Sequence, residues 1–364
     1  MQRAFINGKI FTGSSVETNK AILVDGEIIA GIVNENEIPS HYKPQDLKEQ
    51  NIAPAFIDLQ IYGANNHLFS AELTLESLHA TYEYCLKGGC SHFMITMATN
   101  VSQKYKVAFE RIRAYWDEGG KGLLGLHLEG PYINPVKRGA HLASCIETPT
   151  VKEVTQLLEK GEGVLKMMTL APEQCDEAVI DLLLKNNILL SAGHSDATFK
   201  QATQAFDKGI PLATHLYNAM SGLHHREAGM VGAIFSHPSV MCSLVCDGIH
   251  VSYPAIRIAK NVMQDRLFLI TDAVTESQSE YTHLLKGDHY VLPEGTLSGS
   301  ALTMMQAVKN LVKHADVPLD EALRMASTYP AKMLGDYKLG KIEKGYEARF
   351  VVFDDALKMR KVYC

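Results

Sequence analysis

The 364-residue sequence lacks an excess of basic residues. Lys and Arg number 35 against 41 Asp and Glu, which gives a formal net charge of −6. Proteins that bind nucleic acid or an anionic membrane through their surface charge have the opposite balance. The composition therefore argues against nucleic-acid and membrane partners, and an anionic substrate would need a local cluster of positive groups.

Long apolar segments are also missing. The first residues, MQRAFINGKIFTG, contain no apolar core of signal-peptide length, and no apolar run reaches the length of a membrane span. The sequence has seven cysteines, an odd number, and none of them lies in a C-x-x-C pair. We therefore expect reduced thiols and a cytoplasmic protein.

An alternation of apolar runs and amphipathic stretches occupies most of the chain. The apolar runs end near eight positions: Gln60, Met97, Glu129, Leu170, Ala192, Leu216, Cys246 and Asp272. Eight β–α units over residues 52–335 are typical of a (β/α)₈ barrel, and the Gly-rich first turn of a doubly wound open sheet is missing. The pattern predicts an α/β fold with a TIM-like barrel as the catalytic domain.

The two ends of the chain predict a second, smaller unit made of β-strands. Asn7-Gly8 and Asp25-Gly26 each lie between short apolar segments, which is the pattern of a β-hairpin. Phe350–Phe353 has the same character near the other end. We predict that residues 1–51 and 336–364 together form a small β-sandwich domain beside the barrel.

Polar residues stand where four predicted barrel strands end. Glu129 ends the third strand, His194 and His215 follow the fifth and sixth, and Asp272 follows the eighth. Because catalytic groups of such barrels come from the C-terminal ends of different strands, we expect these four to meet at one mouth. Two imidazoles and one carboxylate would hold one divalent metal ion, for which Zn²⁺ is the best match and Fe²⁺, Co²⁺ or Mn²⁺ also suit. Asp272 is then the candidate general base.

Each of these residues alone has a simpler interpretation. A single histidine at a strand end is more often a hydrogen-bonded scaffold residue than a metal ligand. Four such residues on four strands of one barrel favour the metal site. His127, which faces the same way as Glu129, is either a support for the site or a core residue.

Seven motifs in the chain resemble those of the amidohydrolase superfamily, and within it the N-acetylglucosamine-6-phosphate deacetylases. They are His127–Pro131, Gly139–His141, Ser191–Ala197, Thr214–Met220, Asp247–His250, Thr271–Ala273 and Leu297–Met304. The resemblance implies a barrel with a β-sandwich. It also implies an enzyme of amino sugar catabolism that hydrolyses the acetamide of N-acetylglucosamine 6-phosphate to glucosamine 6-phosphate and acetate.

The resemblance also assigns catalytic roles. It implies that Glu129, His194 and His215 bind the metal, and that Asp272 acts as general base and then general acid while a metal-bound water attacks. His141 would contact the acetamide carbonyl and stabilise the oxyanion.

The implied substrate contacts lie on several loops. They are His141, Asn218, the backbone of Ala219, Arg226, His250, Ser300 and Leu302. In the family the arginine comes across a dimer interface, so the resemblance implies a homodimer in which Arg226 reaches the neighbouring active site. From the residues alone, the segment His224-His225-Arg226 would be a solvated loop.

The sequence departs from the superfamily pattern in two places. Many amidohydrolases have His-x-His after the first strand, where this chain has Gln60-Ile61-Tyr62, and a bridging carboxylated lysine has no clear counterpart. Both departures favour one metal ion over two. Two alternatives stay open: an amidohydrolase for another N-acyl sugar phosphate or a cyclic amide, and a non-catalytic sugar-phosphate-binding barrel. Asp272 counts against the second alternative, because a sensor needs no base.

Overall fold

The computed structural model describes residues 1–335 and 338–364. The strands are β1 Gln2–Ile6, β2 Lys9–Phe11, β3 Val16–Glu17, β4 Lys20–Asp25, β5 Ile28–Asn34, β6 Lys43–Asp46, β7 Asn51–Pro54, β8 Phe56–Ile61, β9 Gly63–Ala64, β10 His67–Leu68, β11 Cys90–Ala98, β12 Leu123–Glu129, β13 Leu165–Leu170, β14 Leu189–Ala192, β15 Leu212–Ala213, β16 Met241–Val245, β17 Leu267–Ile270, β18 Ser277–Gln278, β19 Thr282–Lys286, β20 His289–Val291, β21 Leu297–Ser300, β22 Phe350–Phe353 and β23 Met359–Tyr363. The helices are α1 Phe69–Glu72, α2 Leu75–Lys87, α3 Ser102–Asp117, α4 Val151–Lys160, α5 Glu177–Lys185, α6 Phe199–Asp207, α7 Gly229–Ser236, α8 Tyr253–Met263, α9 Met304–His314, α10 Leu319–Ala326 and α11 Thr328–Leu334.

An eight-stranded sheet confirms the predicted barrel. Its strands lie in the order β8, β11, β12, β13, β14, β15, β16 and β17, and the pairs from β11 to β17 are parallel. The sheet nearly closes at its C-terminal end, where the Asp272 N–H donates to the Gln60 oxygen (3.0 Å) and the Tyr62 N–H donates to the Ala273 oxygen (2.9 Å). The first and last strands therefore meet at the mouth where the polar residues were predicted.

The buried strand β12 carries polar side chains both inside the barrel and at its mouth. All seven of its residues are buried, and alternate side chains point to the same face. His127 uses both ring nitrogens inside the barrel, with Nε2 2.8 Å from the Thr169 hydroxyl and Nδ1 3.1 Å from the Leu59 oxygen. Glu129, two residues later, lies at the open end of the strand.

Two sheets formed from both ends of the chain confirm the predicted β-sandwich. One has the order β5-β4-β1-β6 and the other β23-β22-β7-β2-β3. Their shared apolar core comprises Phe5, Ile10, Ile22, Val24, Ile29, Leu47, Ile52, Ile342, Ala348, Phe350 and Val352. Phe5 and Phe350, from opposite ends of the sequence, contact edge to face with ring centroids 5.4 Å apart.

The chain divides into two compact units. One comprises Met1–Asp58, Cys85–His92 and Thr303–Cys364, and the other comprises Leu59–Tyr84 and Phe93–Leu302. The domain boundaries at residues 51/52 and 335/336 stay a prediction, and residue 336 lies outside the described residues.

The two predicted hairpins have different outcomes. Strands β4 and β5 pair antiparallel around Asp25-Gly26, as predicted. The hairpin at Asn7-Gly8 is wrong, because β1 pairs with β4 and β6 whereas β2 pairs with β3 and β7. A Cβ atom at Gly8 would lie 2.5 Å from Leu47 Cδ1, so this glycine allows a close approach where the chain passes from one sheet to the other.

No helix within residues 1–335 and 338–364 is long and apolar enough to cross a membrane. All seven cysteines lie in the described part of the chain, and none of them forms a disulfide there.

Candidate metal centre and catalytic site

The predicted metal ligands and the predicted base line one cavity of about 160 Å³ at the C-terminal end of the barrel. Glu129, His194, His215 and Asp272 all line it, and each is buried. His194, His215 and Asp272 have backbone φ angles of 48°, 35° and 53°. Non-glycine residues rarely adopt such angles, and each costs about 1–3 kcal/mol. The chain therefore accepts backbone strain at these three strand ends, as is common at functional sites.

Three of these side chains place their potential metal-ligand atoms close together. Glu129 Oε1 lies 3.1 Å from His215 Nε2 and 3.3 Å from His194 Nε2, and the two imidazole Nε2 atoms are 3.0 Å apart. Burial alone would raise the pKa of Glu129, but the charge of His194 and the hydrogen bonds of the three surrounding histidines lower this pKa well below its usual range. Glu129 is therefore an ionised carboxylate in a buried setting.

His141 joins the same cluster from the loop after β12. Its Nε2 lies 3.0 Å from Glu129 Oε2, and the ligand atoms of Glu129, His141 and His194 all lie within 4.8 Å of one another. The Thr99 N–H donates to His141 Nδ1 (3.2 Å), so the ring proton of the neutral form is on Nε2. Burial, together with the charge of His194, lowers the pKa of His141 to about 4. His141 is thus a neutral hydrogen-bond donor through Nε2, and this nitrogen offers no free lone pair.

His194 has the opposite tautomer. Its Nδ1 lies 2.9 Å from the Lys137 oxygen, which can only accept, so Nδ1 carries a proton, and in the neutral ring Nε2 presents the lone pair. Arg138 donates to the His141 oxygen (2.9 Å). The adjacent residues Lys137 and Arg138 therefore help to orient both histidines.

Local structure fixes the segment that carries His194. Helix α6 begins directly after it with a capping box, in which the Thr198 hydroxyl accepts from the Gln201 N–H (3.3 Å) and the Gln201 side chain accepts from the Thr198 N–H (2.9 Å). The loop between β14 and α6 is thereby anchored at the end where the helix begins.

Asp272 lies beside the cluster without belonging to it. Its Oδ1 accepts a hydrogen bond from Gln60 Nε2 (2.9 Å), and its backbone oxygen accepts from the Ser300 N–H (3.0 Å). Burial raises the pKa of Asp272, and the nearby charge of Glu129 raises it further. A carboxyl group with a raised pKa is suited to accept and return a proton near neutral pH.

Gln60 and Tyr62 are site residues whose role the sequence did not reveal. Gln60 Nε2 lies 2.9 Å from Glu129 Oε1, and the Tyr62 hydroxyl donates a short hydrogen bond to Glu129 Oε2. Their place after the first barrel strand, where many amidohydrolases have histidines, was the available signal.

The residues that line the cavity include two groups of different polarity. One group, here called the polar wall, is Asn218, Ala219 and His250, and the Nδ1 of His250 lies 2.6 Å from Asp247 Oδ2. The other group, here called the apolar wall, is the packed cluster of Tyr62, Leu68, Val274 and Tyr281. A ligand with one polar end and one small apolar group fits this division.

Comparison with known families decides the classification. A model described as the amidohydrolase family matches residues 51–363, and a model described as the NagA composite domain matches residues 3–52. The chain belongs to the amidohydrolase family.

Close relatives cover this amidohydrolase over almost its whole length. The N-acetylglucosamine-6-phosphate deacetylase of Haemophilus influenzae is 35% identical over 97% of this chain and 95% of the relative. The N-acetylgalactosamine-6-phosphate deacetylase of Escherichia coli O157:H7 is 33% identical over 86% of each chain. The crystal structure of N-acetylglucosamine-6-phosphate deacetylase from Pasteurella multocida superposes with a TM-score of 0.95 at 34% identity, covering 100% of this chain and 98% of that one.

Amidohydrolases are metal-dependent, and the buried donor set fits a divalent metal ion. Two imidazole nitrogens and an ionised carboxylate oxygen converge, which is the usual ligand set of a catalytic zinc site. His194 is held in the tautomer that a ligand needs, by a hydrogen bond from its other ring nitrogen. His141 is held in the other tautomer, so it suits a donor role beside the metal.

Three predicted substrate contacts lie away from the cavity surface. Arg226 is exposed on the loop before α7 and does not line the cavity. Ser300 and Leu302 are buried behind the wall, where the Ser300 hydroxyl donates to the Thr271 oxygen (2.6 Å) and accepts from the Leu302 N–H (3.0 Å). The hydroxyl of Ser300 thus holds the segment around Asp272, and the neighbouring Ser298 and Gly299 line the cavity instead.

Proposed function

We propose that this amidohydrolase hydrolyses the acetamide of N-acetylglucosamine 6-phosphate to glucosamine 6-phosphate and acetate. The convergence of buried Glu129, His194 and His215 beside Asp272 carries the proposal. A divalent metal ion held by such ligands, with a base beside it, can catalyse the hydrolysis of an unactivated amide. The deacetylase relatives support an amino sugar 6-phosphate as substrate. One of them acts on the galactosamine epimer, so that epimer is the second candidate substrate.

The proposed metal ligands are Glu129, His194 and His215, and Zn²⁺ is the proposed metal. His194 and Glu129 are already oriented for this role by their hydrogen bonds to Lys137 and to Tyr62. When bound, a divalent ion supplies Lewis-acid activation of water and polarisation of the acetyl carbonyl.

Asp272 moves the proton in the proposed mechanism. Its carboxylate takes a proton from the attacking water and returns it to the amine nitrogen of the sugar, which cannot leave as an amide anion. The raised pKa of Asp272 supports this double role, because the protonated form must also be accessible.

His141 is the proposed stabiliser of the tetrahedral oxyanion. It is neutral and donates through Nε2, and the Thr99 backbone fixes this tautomer. A fixed donor aimed at developing negative charge contributes about 3 kcal/mol in comparable sites. The Nε2–H of His141 now contacts Glu129 Oε2, and a substrate oxygen in the cavity would compete for it.

The polarity of the walls supports one orientation of the substrate. Asn218, the backbone of Ala219 and His250 would hold the sugar phosphate on the polar wall. The acetyl methyl group would then face Leu68 and Val274 on the apolar wall. Ser300 and Leu302 would act by holding the strand that presents Ser298 and Gly299.

The proposal includes a homodimer in the cytoplasm. Arg226 is exposed on its own subunit, and its guanidinium suits a phosphate of a substrate bound in the neighbouring subunit. This single positive group would offset the acidic net charge where the phosphate binds.

Substrate comparison tests the proposal. The purified protein is incubated with N-acetylglucosamine 6-phosphate, its galactosamine epimer and unphosphorylated N-acetylglucosamine, and acetate is measured. We expect the highest kcat/KM for N-acetylglucosamine 6-phosphate. Faster hydrolysis of the epimer would reassign the substrate, and acetate release from neither phosphate would refute deacetylation.

A further inference from the structure

Gln60 and Tyr62 connect the two carboxylates of the site. Gln60 Nε2 lies 2.9 Å from Glu129 Oε1 and 2.9 Å from Asp272 Oδ1. It also lies 2.9 Å from the Tyr62 hydroxyl, which in turn donates to Glu129 Oε2. Both side chains are buried, with relative exposures of 1% and 7%. These contacts form a continuous hydrogen-bonded connection between the proposed metal ligand and the proposed base.

We propose that Gln60 and Tyr62 are positioning residues that hold Glu129 in its metal-binding orientation and keep it at a fixed distance from Asp272. This inference rests on the metal centre of the proposed function. It concerns residues that act through Glu129 and Asp272, and neither of them is placed among the metal ligands.

The first argument is that the two oxygens of Glu129 have different partners. Oε2 accepts from the Tyr62 hydroxyl and from His141 Nε2. Oε1 is the oxygen that lies beside the Nε2 atoms of the two histidine ligands. Because two donors occupy Oε2, the carboxylate can turn only if these bonds break, and Oε1 stays directed at the ligand cluster.

The second argument concerns the charges. Two buried carboxylates close together repel one another unless donors or cations lie between them. The side-chain amide of Gln60 has two N–H groups, and one can be given to each carboxylate. Because the amide is neutral, it satisfies both groups without introducing a cation at this position.

Backbone hydrogen bonds also hold Gln60 and Tyr62 in place. The Gln60 oxygen accepts from the Asp272 N–H (3.0 Å), and the Tyr62 N–H donates to the Ala273 oxygen (2.9 Å). Gln60 therefore forms hydrogen bonds with Asp272 through both its side chain and its backbone. Such a doubly held residue is suited to set the spacing between two groups to within a fraction of an ångström.

Zinc affinity tests the inference directly. Tyr62→Phe removes only the hydroxyl and leaves the buried ring in place. Loss of a residue that orients a metal ligand typically weakens metal binding about 10- to 100-fold. We expect a zinc Kd higher by this factor than in the wild type, measured by competition with a chromophoric chelator. A wild-type Kd in Tyr62→Phe would overturn the proposal.

Tyr115→Phe is the matched control for this experiment. Tyr115 is also buried and its hydroxyl donates to a backbone oxygen, that of Lys121 (2.9 Å), but it does not line the cavity. We expect its zinc Kd to stay near the wild-type value while its melting temperature falls as much as that of Tyr62→Phe. An equal loss of affinity in both variants would mean that any buried tyrosine matters, and would contradict the proposal.

Gln60→Met provides a second variant of similar length without N–H donors. We expect weaker zinc binding again, and unchanged affinity in a folded Gln60→Met protein would overturn the role of Gln60. Wild-type protein that binds no zinc would refute the metal centre and the inference together. Tight binding by wild type and both variants would refute the inference alone.

Discussion

The Nε2 atoms of His194 and His215 lie 3.0 Å apart at the ends of adjacent barrel strands. Two imidazole nitrogens at this distance repel unless a proton or a cation lies near both. His194 donates a hydrogen bond from Nδ1 to the Lys137 oxygen, so Nε2 carries the lone pair of the neutral ring, and the ionised Glu129 lies within 3.3 Å of both Nε2 atoms. This arrangement is the one that proteins use to bind a divalent metal ion.

Replacing Asp272 with asparagine separates proton transfer from metal binding. Asp272→Asn keeps the size of the side chain but removes its ability to accept a proton. We expect kcat for acetate release to fall about 10²- to 10⁴-fold. Because Asp272 is outside the proposed ligand set, the zinc content by mass spectrometry should stay at the wild-type value. Retained turnover would refute Asp272 as the base, and lost zinc would place it among the ligands.

Replacing Arg226 with alanine tests phosphate recognition. Loss of a hydrogen-bonded charge partner costs about 1.5–3 kcal/mol, which corresponds to a rise in KM of about 10- to 150-fold for the 6-phosphorylated substrate. The KM for the unphosphorylated sugar should barely change. Arg111, exposed on α3, gives the control variant Arg111→Ala, for which we expect no effect on either substrate. An equal rise for both sugars in Arg226→Ala would contradict a phosphate contact.

Replacing Val274 with alanine tests the apolar wall as the acyl pocket. Val274 is 6% exposed and packs in the apolar cluster of the cavity. One methylene group in such a pocket is worth about 1–3 kcal/mol. We therefore expect Val274→Ala to raise the ratio of kcat/KM for the N-propionyl over the N-acetyl substrate about 10-fold. Leu284→Ala, on the exposed part of β19, is the control. The same ratio in wild type and Val274→Ala would show that the methyl group lies elsewhere.

The buried His283 should make stability depend on pH. Burial lowers the pKa of His283 from 6.5 to about 4. Between these values the unfolded chain binds a proton that the folded chain does not, so the free energy of unfolding falls as the pH drops through this window. At about pH 5 the loss from this residue is about 2 kcal/mol.

Urea unfolding at about pH 7.5 and about pH 5 checks this expectation. We expect wild type to lose about 2 kcal/mol more than His283→Gln between the two conditions. His225 is exposed, and His225→Gln should behave as wild type does. The same loss in wild type and His283→Gln would mean that His283 is protonated equally in both states.

The barrel could be predicted because each strand carries its own signal. The eight apolar runs are buried strands whose side chains need no particular partner, and their ends brought Glu129, His194, His215 and Asp272 together. The hairpin at Asn7-Gly8 failed because the local turn pattern does not say with which strand each flank pairs. There Gly8 lies close to Leu47, in a distant segment, and the local turn pattern contains no information about that segment.

The site could be predicted only where residue chemistry is distinctive. Histidines and carboxylates at strand ends indicate metal chemistry, whereas an amide and a phenol have many uses. Gln60 is separated from Glu129 by 69 positions and from Asp272 by 212, so the connection exists only in the folded chain. The tautomers of His141 and His194 likewise depend on backbone groups of Thr99 and Lys137 that no sequence pattern specifies.

Metal titration of the stripped enzyme is the most direct test of the proposed metal-dependent deacetylation. The protein is freed of metal with a chelator, zinc is added back in known amounts, and acetate release from N-acetylglucosamine 6-phosphate is measured at each step. We predict no activity without metal, and a linear rise that saturates at one zinc ion per chain. Full activity of the metal-free protein, or no acetate at any metal content, would contradict the account.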